Sequence, residues 1–229
     1  MIPVIIPARG GSKGIPKKNI IDFCGKPLIA WTIEQAMASK KVDEVYVSTD
    51  DSDIATISSQ YGAKVIDRPK SLASDTSSSE EALLHALSII EQEYTVDYVV
   101  FLQATSPLRG PNDIDDAVDK ILSTGADSLL SCCRLQDFFI WKKTNDGYKS
   151  VNYDYRNRKR RQDIELTYLE NGSIYIFKPS IMKEYHNRLG GYIEIFEMEY
   201  WKSCQIDDKE DIDLCEFFMK RNMMAYEKW

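Results

Sequence analysis

A loop rich in glycine and basic residues follows the first apolar run of the chain. Residues 8–19 read ARGGSKGIPKKN, directly after the β-branched run at 2–6, and no acidic residue occurs before Asp22. Glycines let the backbone approach an anion and direct N–H groups at it, while arginine and lysine bind phosphate oxygens. The loop fits neither the P-loop pattern nor the dinucleotide-binding glycine pattern. It therefore predicts a different kind of phosphate site, with a solvated basic turn as the alternative.

The elements that must position this loop alternate between strands and helices. Period-two and continuous apolar runs predict strands, and 3.6-residue apolar spacing predicts helices between them. The predicted strands are 2–6, 42–48, 63–66, 97–102, 127–132 and 173–177, and the predicted helices are 28–40, 52–60, 79–91, a helix capped by Asn112, and 208–220. This order predicts an α/β fold with a mostly parallel, Rossmann-like sheet and helices on both faces. Ligands of such sheets bind beyond the carboxyl ends of the strands.

The alternation breaks between residues 134 and 170. This segment contains aromatic residues, a turn at Asp146-Gly147, and the basic run NRKRR at 157–161. We interpret the chain as one domain, 1–229, with an inserted excursion at 134–170. Exposed aromatic residues in an excursion favour a contact between subunits.

Composition excludes several classes of protein. The chain has 229 residues and a formal net charge of −7, which argues against a general nucleic-acid binder. It has two histidines, which disfavours a Ser-His-Asp hydrolase, and five cysteines at irregular spacing, which indicate reduced thiols in a cytoplasmic protein. No apolar run is long enough to predict a signal peptide or a membrane helix, so no membrane partner is expected.

Several separated motifs, in order, resemble those of the cytidylyltransferases that activate nonulosonic acids. These enzymes are the CMP-N-acetylneuraminate (acylneuraminate) synthetases and their legionaminate and pseudaminate relatives. The resemblance begins with ARGGSKGIPKKN and GKPLIAWTI and continues almost to the end of the chain through VSTDD, RPKSLASDTSSS, LQATSPLR, RRQ, ENGSIYIF and QIDDKEDID. It implies a nucleotidyltransferase sheet of the GT-A-like type. The implied activity is transfer of CMP from CTP to the anomeric hydroxyl of a nonulosonic acid, with release of pyrophosphate.

The resemblance assigns one group of residues to the nucleotide. Arg9, Ser12, Lys13 and Lys18 would hold the triphosphate, and the three cations among them would stabilise the charge that develops during transfer. Asn19 would contact the ribose or the base. Arg68 would donate to the acceptor atoms of cytosine, with Ser79 nearby.

A second group is assigned to the acceptor and to the subunit contact. The residues that would bind the sugar acid are Gln103, Arg161, Tyr175 and Tyr192. Among them, Arg161 would bind its carboxylate, since a bidentate arginine recognises a carboxylate well. The excursion would exchange between the two subunits of a homodimer. Arg109 is instead expected to be structural and to pair with the acids at 113–116.

The resemblance also implies Mg²⁺, which prefers carboxylate and water oxygens. The family shows two aspartates one residue apart, and here Asp207 matches the second while Gln205 stands in place of the first. Gln205 can offer a carbonyl oxygen but no charge. Asp208 is expected to cap the last helix.

Two other functions remain open. Asp51 and Asp53 form a D-x-D pattern of the kind that nucleotide-sugar glycosyltransferases use for a metal, although a helix N-terminus explains it better. The loss of one metal aspartate at Gln205 would also suit a nucleotide-binding subunit without turnover.

Overall fold

Apolar, β-branched segments build a central sheet in this computed structural model, which describes residues 1–12, 14–135 and 139–222. Buried side chains on both faces explain why these strands read as continuous apolar runs. In chain order the strands are β1 (Pro3–Pro7), β2 (Asp22–Phe23), β3 (Lys26–Pro27), β4 (Glu44–Thr49), β5 (Lys64–Asp67), β6 (Val99–Leu102), β7 (Ser128–Leu135), β8 (Trp141–Thr144), β9 (Gly147–Ser150), β10 (Thr167–Phe177) and β11 (Ile193–Met198).

Seven of these strands form one sheet in the order β11-β7-β10-β6-β1-β4-β5. β1 pairs in parallel with β4 and β6, β4 with β5, and β7 with β11. β10 runs antiparallel to both of its neighbours, β6 and β7. The predicted α/β fold with a mostly parallel sheet is therefore confirmed. The carboxyl ends of β1, β4 and β6 meet at one edge, as the parallel pairing requires.

Helices cover both faces of this sheet. They are α1 (Leu28–Ala38), α2 (Ser52–Gln60), α3 (Ser79–Ile90), α4 (Asp113–Thr124), α5 (Pro179–Tyr185) and α6 (Lys209–Asn222). One core contains residues of α1, α2 and α4, represented by Ile33, Ile54 and Val118, packed on one sheet face. The opposite core contains residues of α3 and α5, represented by Leu87 and Met182. The strands alternate their side chains between these two cores.

Helix caps follow the sequence in some places and differ from it in others. Ser78 caps α3 through a capping box with Glu81, which satisfies two backbone N–H groups at the helix start. Asn112 occupies the N-cap position of α4, as predicted, but its side chain makes no cap hydrogen bond. The Asp113 carboxylate instead accepts from the backbone N–H of Gly110 at 2.7 Å.

α6 packs against the start of α1 and against the first loop. Their shared apolar cluster includes Ile15, Leu28, Ile206 and Met219. The Asp211 carboxylate, in the first turn of α6, accepts from the backbone N–H groups of Asp207 and Asp208 at 2.9 and 2.8 Å. The C-terminal part of the chain is thereby held beside the loop that follows β1.

The predicted excursion contains a separate hairpin, β8–β9, whose turn residues are Asn145 and Asp146. β10 then returns to the sheet over eleven residues. An aromatic cluster lies beside the hairpin, where Tyr153 contacts Phe139 and Trp141 at ring-centroid distances of 4.3 and 5.9 Å. Trp141 and Tyr155 remain 44% and 51% exposed.

Candidate active site

A cleft of about 350 Å³ opens beyond the carboxyl ends of β1 and β6. It lies where parallel α/β sheets bind ligands. Its walls contain residues from the first loop, the segment before α3, the exit of β6 and the segment before α6. Among them are most of the predicted site residues: Arg9, Ser12, Lys18, Asn19, Arg68, Ser79, Gln103 and Asp207.

The first loop is fixed to the end of β4. The backbone N–H of Gly10 donates to the Asp50 carboxylate at 3.0 Å. A Cβ at Gly10 would lie 2.6 Å from Asp51 Oδ2, so only glycine fits this close approach. Asn19 is buried, and its side-chain amide donates to the backbone carbonyl of Arg9 at 3.1 Å. These contacts therefore hold the first loop in a defined conformation at the edge of the sheet.

Three cationic side chains reach the cleft, two from the first loop and one from the segment that follows β5. Lys18 Nζ donates to the backbone carbonyl of Ile206 and to Asp207 Oδ1, both at 2.9 Å. Arg9 Nη1 donates to the backbone carbonyl of Ser74 at 2.7 Å and lies 3.4 Å from Asp75 Oδ1. Arg68 is 5% exposed and donates through Nε to the Ser48 hydroxyl at 3.1 Å.

Charge is concentrated around Arg68. Burial lowers its pKa, the Asp50 carboxylate opposes that shift, and the neighbouring Arg9 guanidinium adds to it. The two guanidinium groups lie beside the Asp50 and Asp75 carboxylates, so charges of both signs are concentrated at this wall of the cleft. Asp50 and Ser48 were not identified from the sequence as functional residues. The position of Asp50 at the end of a predicted strand was the available signal.

Lys17 belongs to the same loop and differs from Lys18. Its ammonium group pairs with the Asp53 carboxylate at 2.6 Å, and its side chain is 62% exposed. It is not among the cleft-lining residues. Lys13, which the family resemblance assigns to the triphosphate, lies outside the described residues.

The exit of β6 carries Gln103 into the cleft, next to a tight crossing with β10. A Cβ at Gly172 would lie 2.9 Å from Gln103 Oε1 and 2.7 Å from Gln205 Nε2. The backbone of Gly172 has a φ of +64°, which glycine adopts readily. Gln103 and Gln205 therefore meet over one glycine, although 102 positions separate them in the numbering of the chain.

Tyr175 is buried directly beside the cleft wall. Its ring stacks on Phe101, which lines the cleft, at a centroid distance of 5.3 Å. Its hydroxyl donates to the Glu170 carboxylate. Burial and this hydrogen bond to a carboxylate both raise the pKa of Tyr175, so the phenol stays protonated.

Arg109 holds the exit of β6 in place, and its partners differ from those predicted. It is fully buried, and its guanidinium donates to the backbone carbonyls of Gln103 and Ser173 at 2.7 and 2.8 Å. It also donates to the side chains of Thr32 and Gln35, both at 3.1 Å. The predicted pairing with the acids at 113–116 is wrong, because Asp113 pairs with Lys202 at 2.9 Å.

Tyr192, a predicted sugar-site residue, lies away from the cleft. Tyr192 precedes β11, and its backbone carbonyl accepts from the N–H of Asp127, just before β7, at 2.9 Å. The parallel strands begin at this edge, which lies opposite the cleft. Tyr192 therefore cannot line the sugar pocket of its own chain, and its assignment to that pocket is corrected. Arg161, another predicted sugar-site residue, begins a short 3₁₀ turn in the excursion, and its side chain is not among those that the structure describes.

The metal prediction rests on Asp207 alone. Asp207 lies at the rim of the cleft with its side chain 71% exposed, beside Lys18. The amide nitrogen of Gln205 donates to the backbone carbonyl of Asn171 at 3.0 Å. Within residues 1–12, 14–135 and 139–222, no cluster of three or more His, Cys, Asp or Glu side chains could hold a metal ion. One carboxylate still suits Mg²⁺ that arrives with a nucleotide, because phosphates and water complete its coordination.

The D-x-D pattern has a structural explanation. The Asp51 carboxylate caps α2 by accepting from the backbone N–H groups of Asp53 and Ile54 at 2.9 and 3.0 Å. Asp53 pairs with Lys17. Both carboxylates are therefore engaged, and the glycosyltransferase alternative loses its support. In the part of the chain that the structure describes, no helix combines the length and apolar character needed to cross a membrane.

Comparison with known proteins agrees with this geometry. A cytidylyltransferase family model matches residues 3–228. A pseudaminic acid cytidylyltransferase of Campylobacter jejuni subsp. jejuni is 34% identical over 224 residues, which cover 95% of this chain and 96% of that protein. An N-acylneuraminate cytidylyltransferase of Oncorhynchus mykiss is 37% identical over 93% of this chain, which spans 48% of the length of that relative.

Solved structures share the fold at low sequence identity. A CMP:2-keto-3-deoxy-manno-octonic acid synthetase complexed with CTP superposes with a TM-score of 0.73 at 18% identity, covering 97% of this chain and 99% of the other. A 4-diphosphocytidyl-2C-methyl-D-erythritol synthase from Anaerococcus prevotii gives a TM-score of 0.67 at 13% identity, covering 96% of each chain. These likenesses concern the fold.

Proposed function

This chain belongs to the cytidylyltransferase family, and from that premise we propose that it transfers CMP from CTP to the anomeric hydroxyl of a nonulosonic acid, releasing pyrophosphate. The observation that carries the proposal is the cleft itself. Residues from distant parts of the sequence that the family motifs assign to nucleotide, acceptor and metal line one cavity at the carboxyl edge of the sheet. The chain is a nucleotidyltransferase, and the identity of its acceptor is the proposed part.

The nucleotide end of the cleft is the cationic end. Arg9, Ser12 and Lys18 would bind the triphosphate, together with the predicted Lys13, because phosphate oxygens offset the charge that these groups bring together. Arg68 would donate to cytosine from its buried position on Ser48. Asn19 and Ser79 would contact the nucleoside, since both line the cleft.

The acceptor end would lie between Gln103 and the Phe101–Tyr175 ring pair. Arg161 would bind the acceptor carboxylate, which requires the excursion to approach a cleft. In the reaction, the anomeric oxygen attacks the α-phosphorus in line with the departing oxygen, the bond to the β-phosphate breaks, and the hydroxyl proton is released. No covalent enzyme intermediate is needed, so positioning and charge stabilisation supply most of the catalysis.

Asp207 would hold Mg²⁺ carried with CTP. The ion, when bound, would neutralise charge on the leaving pyrophosphate. The salt bridge between Asp207 and Lys18 keeps this carboxylate at the phosphate end. Asp207→Asn should raise the Mg²⁺ concentration needed for half-maximal activity by about tenfold or more. Asp208→Asn, at the adjacent exposed carboxylate, is the matched control and should leave that concentration unchanged.

The excursion at 134–170 would form the contact of a homodimer. Its exposed apolar side chains support this, since such patches normally mark interaction surfaces. They include Ile140, Trp141, Tyr148, Val151 and Tyr155, each 44% or more exposed. Light scattering should give twice the monomer mass, and Trp141→Ser with Tyr148→Ser should shift the protein toward the monomer. A monomeric wild-type protein at micromolar concentration would contradict this part.

The cytoplasm is the proposed compartment. The five cysteines are free in the structure, which suits a reducing environment.

One assay tests the function. Purified protein is incubated with each nucleoside triphosphate, Mg²⁺ and a panel of nonulosonic acids, and pyrophosphate release is followed. Release that requires CTP and one acid together is expected. Pyrophosphate release in the absence of any acid would contradict the proposal, and so would a failure of every acid in the panel to support release. Tight CTP binding without turnover would instead indicate a nucleotide-binding subunit.

The first loop offers a matched pair of variants. Lys18→Ala removes a cation that lines the cleft and should lower kcat by about 100-fold or more. Lys17→Ala removes a cation of the same loop that pairs with Asp53 outside the cleft, and should change kcat by less than about twofold. Equal losses in both variants would contradict the assignment of the triphosphate to this loop.

A further inference from the structure

Ser48 is a buried serine at a position of β4 where the neighbouring residues are apolar. Tyr46, two positions earlier on the same face of the strand, belongs to the core that contains α3 and α5. Ile66, the register partner of Ser48 on β5, belongs to that core as well. Ser48 is 0% exposed. A buried hydroxyl costs free energy unless it is hydrogen-bonded, so the partner of this hydroxyl indicates why a serine is placed here.

That partner is a residue of the cleft. Arg68 Nε donates to the Ser48 hydroxyl at 3.1 Å, and Arg68 Nη2 donates to the Ser48 backbone carbonyl. Among the described residues, the guanidinium makes no other hydrogen bond. Arg68 itself lines the cleft. One buried residue therefore holds one whole edge of a guanidinium that reaches the cleft.

The other edge of the guanidinium is available to a ligand. Nε and one Nη2 hydrogen are used on Ser48, so the edge that remains carries Nη1 and the second Nη2 hydrogen. Nη1 has no partner among the described residues, and it is not one of the fully buried atoms that lack a partner, so it keeps accessible surface. Because Arg68 lines the cleft, this surface is open to a molecule bound there.

The chemistry of this free edge distinguishes the two pyrimidine bases. Its two parallel N–H groups suit two adjacent acceptors in one plane. Cytosine presents such acceptors at O2 and N3, whereas N3 of uracil carries a hydrogen that would oppose one of the donors. A guanidinium that is fixed in its plane can therefore prefer cytosine, and one that is free to turn loses that preference.

We propose that Ser48 is a positioning residue for base recognition, whose hydroxyl holds Arg68 so that its free edge accepts a cytosine and rejects a uracil. This rests on the proposed function, in which CTP is the nucleotide bound in this cleft. Ser48 touches no ligand itself and acts through Arg68. Without the hydroxyl, Nε loses its acceptor, and the guanidinium turns toward the Asp50 carboxylate, whose charge already acts on it.

The test measures binding of CTP and of UTP by isothermal titration calorimetry, with Mg²⁺ and without a sugar acid. Wild-type protein should bind CTP more tightly than UTP by about tenfold or more. Ser48→Ala should weaken CTP binding by about tenfold and change UTP binding by less than about twofold, so that the preference is lost. In turnover, KM for CTP should rise, while kcat at saturating CTP should stay within about twofold of wild type.

Ser58→Ala is the matched control. Ser58 is also 0% exposed, but it lies on α2 and its hydroxyl has no partner among the described residues. This variant should keep the wild-type affinity for both nucleotides, and thermal unfolding checks that each variant is folded.

Arg68→Met separates a role through Arg68 from a structural role of Ser48. This variant should itself lose the preference for CTP, and Ser48→Ala added to it should change CTP affinity by less than about twofold further. Losses that add in the double variant, or a preference that survives in either single variant, overturn the proposal, and so does wild-type protein that binds CTP and UTP equally. Wild-type protein that prefers CTP but releases no pyrophosphate with any acid would refute the proposed function and leave this inference standing.

Discussion

Gly172 offers the sharpest test of how the site is assembled. It lies where β10 passes the exit of β6, with a φ of +64°. A methyl group there would approach Gln205 Nε2 to 2.7 Å and Gln103 Oε1 to 2.9 Å. Both distances are shorter than a Cβ tolerates, so Gly172→Ala must displace the amides of Gln103 and Gln205.

The size of the effect follows from two contributions. Placing alanine in the left-handed region costs about 1 kcal/mol. Displacing the Gln205 amide breaks its hydrogen bond to the Asn171 carbonyl, which costs about 1 kcal/mol more. We expect the free energy of unfolding to fall by about 2–3 kcal/mol and Tm to fall by roughly 4–12 °C. Because Gln103 faces the acceptor end, kcat/KM for the acid should fall by about tenfold or more.

Gly125 is the matched control. It has a φ of +68°, and a Cβ there would meet no atom within 4 Å. Gly125→Ala should therefore cost only the backbone contribution of about 1 kcal/mol, or roughly 2–4 °C in Tm. Activity of this variant should match wild type.

The assay measures thermal unfolding and steady-state pyrophosphate release for both variants, with the acid varied at saturating CTP. If the two variants lose the same stability and the same acceptor kcat/KM, then the neighbours of Gly172 do not constrain it. The reasoning that places Gln103 and Gln205 over this glycine would then be refuted.

Three further predictions concern the framework of the site. Arg109→Met removes the buried donor of five hydrogen bonds and should lower the free energy of unfolding in urea by about 3–5 kcal/mol. Arg160→Met, which removes an exposed ion pair with Asp163, should lower it by less than about 0.5 kcal/mol, and similar losses in both variants would contradict the role given to Arg109. Ser78→Ala should cost about 1 kcal/mol through loss of the α3 cap, and Ser88→Ala on the same helix should cost less, as measured by the same urea titration. Burial raises the thiol pKa to about 11 for Cys24 and Cys133 and to about 12 for Cys132 and Cys215, well above that of an unfolded cysteine. The free energy of unfolding should therefore be highest below about pH 8.5 and should fall as pH rises toward these values. A urea midpoint that stays constant from pH 7.5 to 10 would argue against this.

Much of the fold could be predicted because it depends on short-range pattern. The apolar runs of β1 and β6 and the spacing of α2 and α3 are visible in the sequence, and the structure confirms these elements. The cap of α4 could not be predicted in the same way. Asn112 occupies the N-cap position without a side-chain cap hydrogen bond, and the carboxylate of Asp113 binds the N–H of Gly110, which precedes the helix.

The candidate site also contains residues that local sequence predicts and residues that it does not. The composition of the loop at 8–19 predicts a phosphate site, and Arg68 and Gln103 follow predicted strands. Asp50 also follows a predicted strand, but no charge pattern sets it apart from the neighbouring acids Asp51 and Asp53. Its role depends on the loop backbone at Gly10, which approaches it only in the folded chain.

The sequence by itself determined the sheet, the order of the family motifs and the residue types available for an anion. These depend on neighbouring residues and on the identity of each side chain, so they can be read along the chain. Tertiary structure decided which of those residues meet. It brought Asp207 to Lys18 across 189 positions, joined Gln103 and Gln205 over Gly172, and left Tyr192 at the opposite edge. Strand order and helix packing set these distances, because a parallel sheet gathers the carboxyl ends of its strands at one edge and their beginnings at the other.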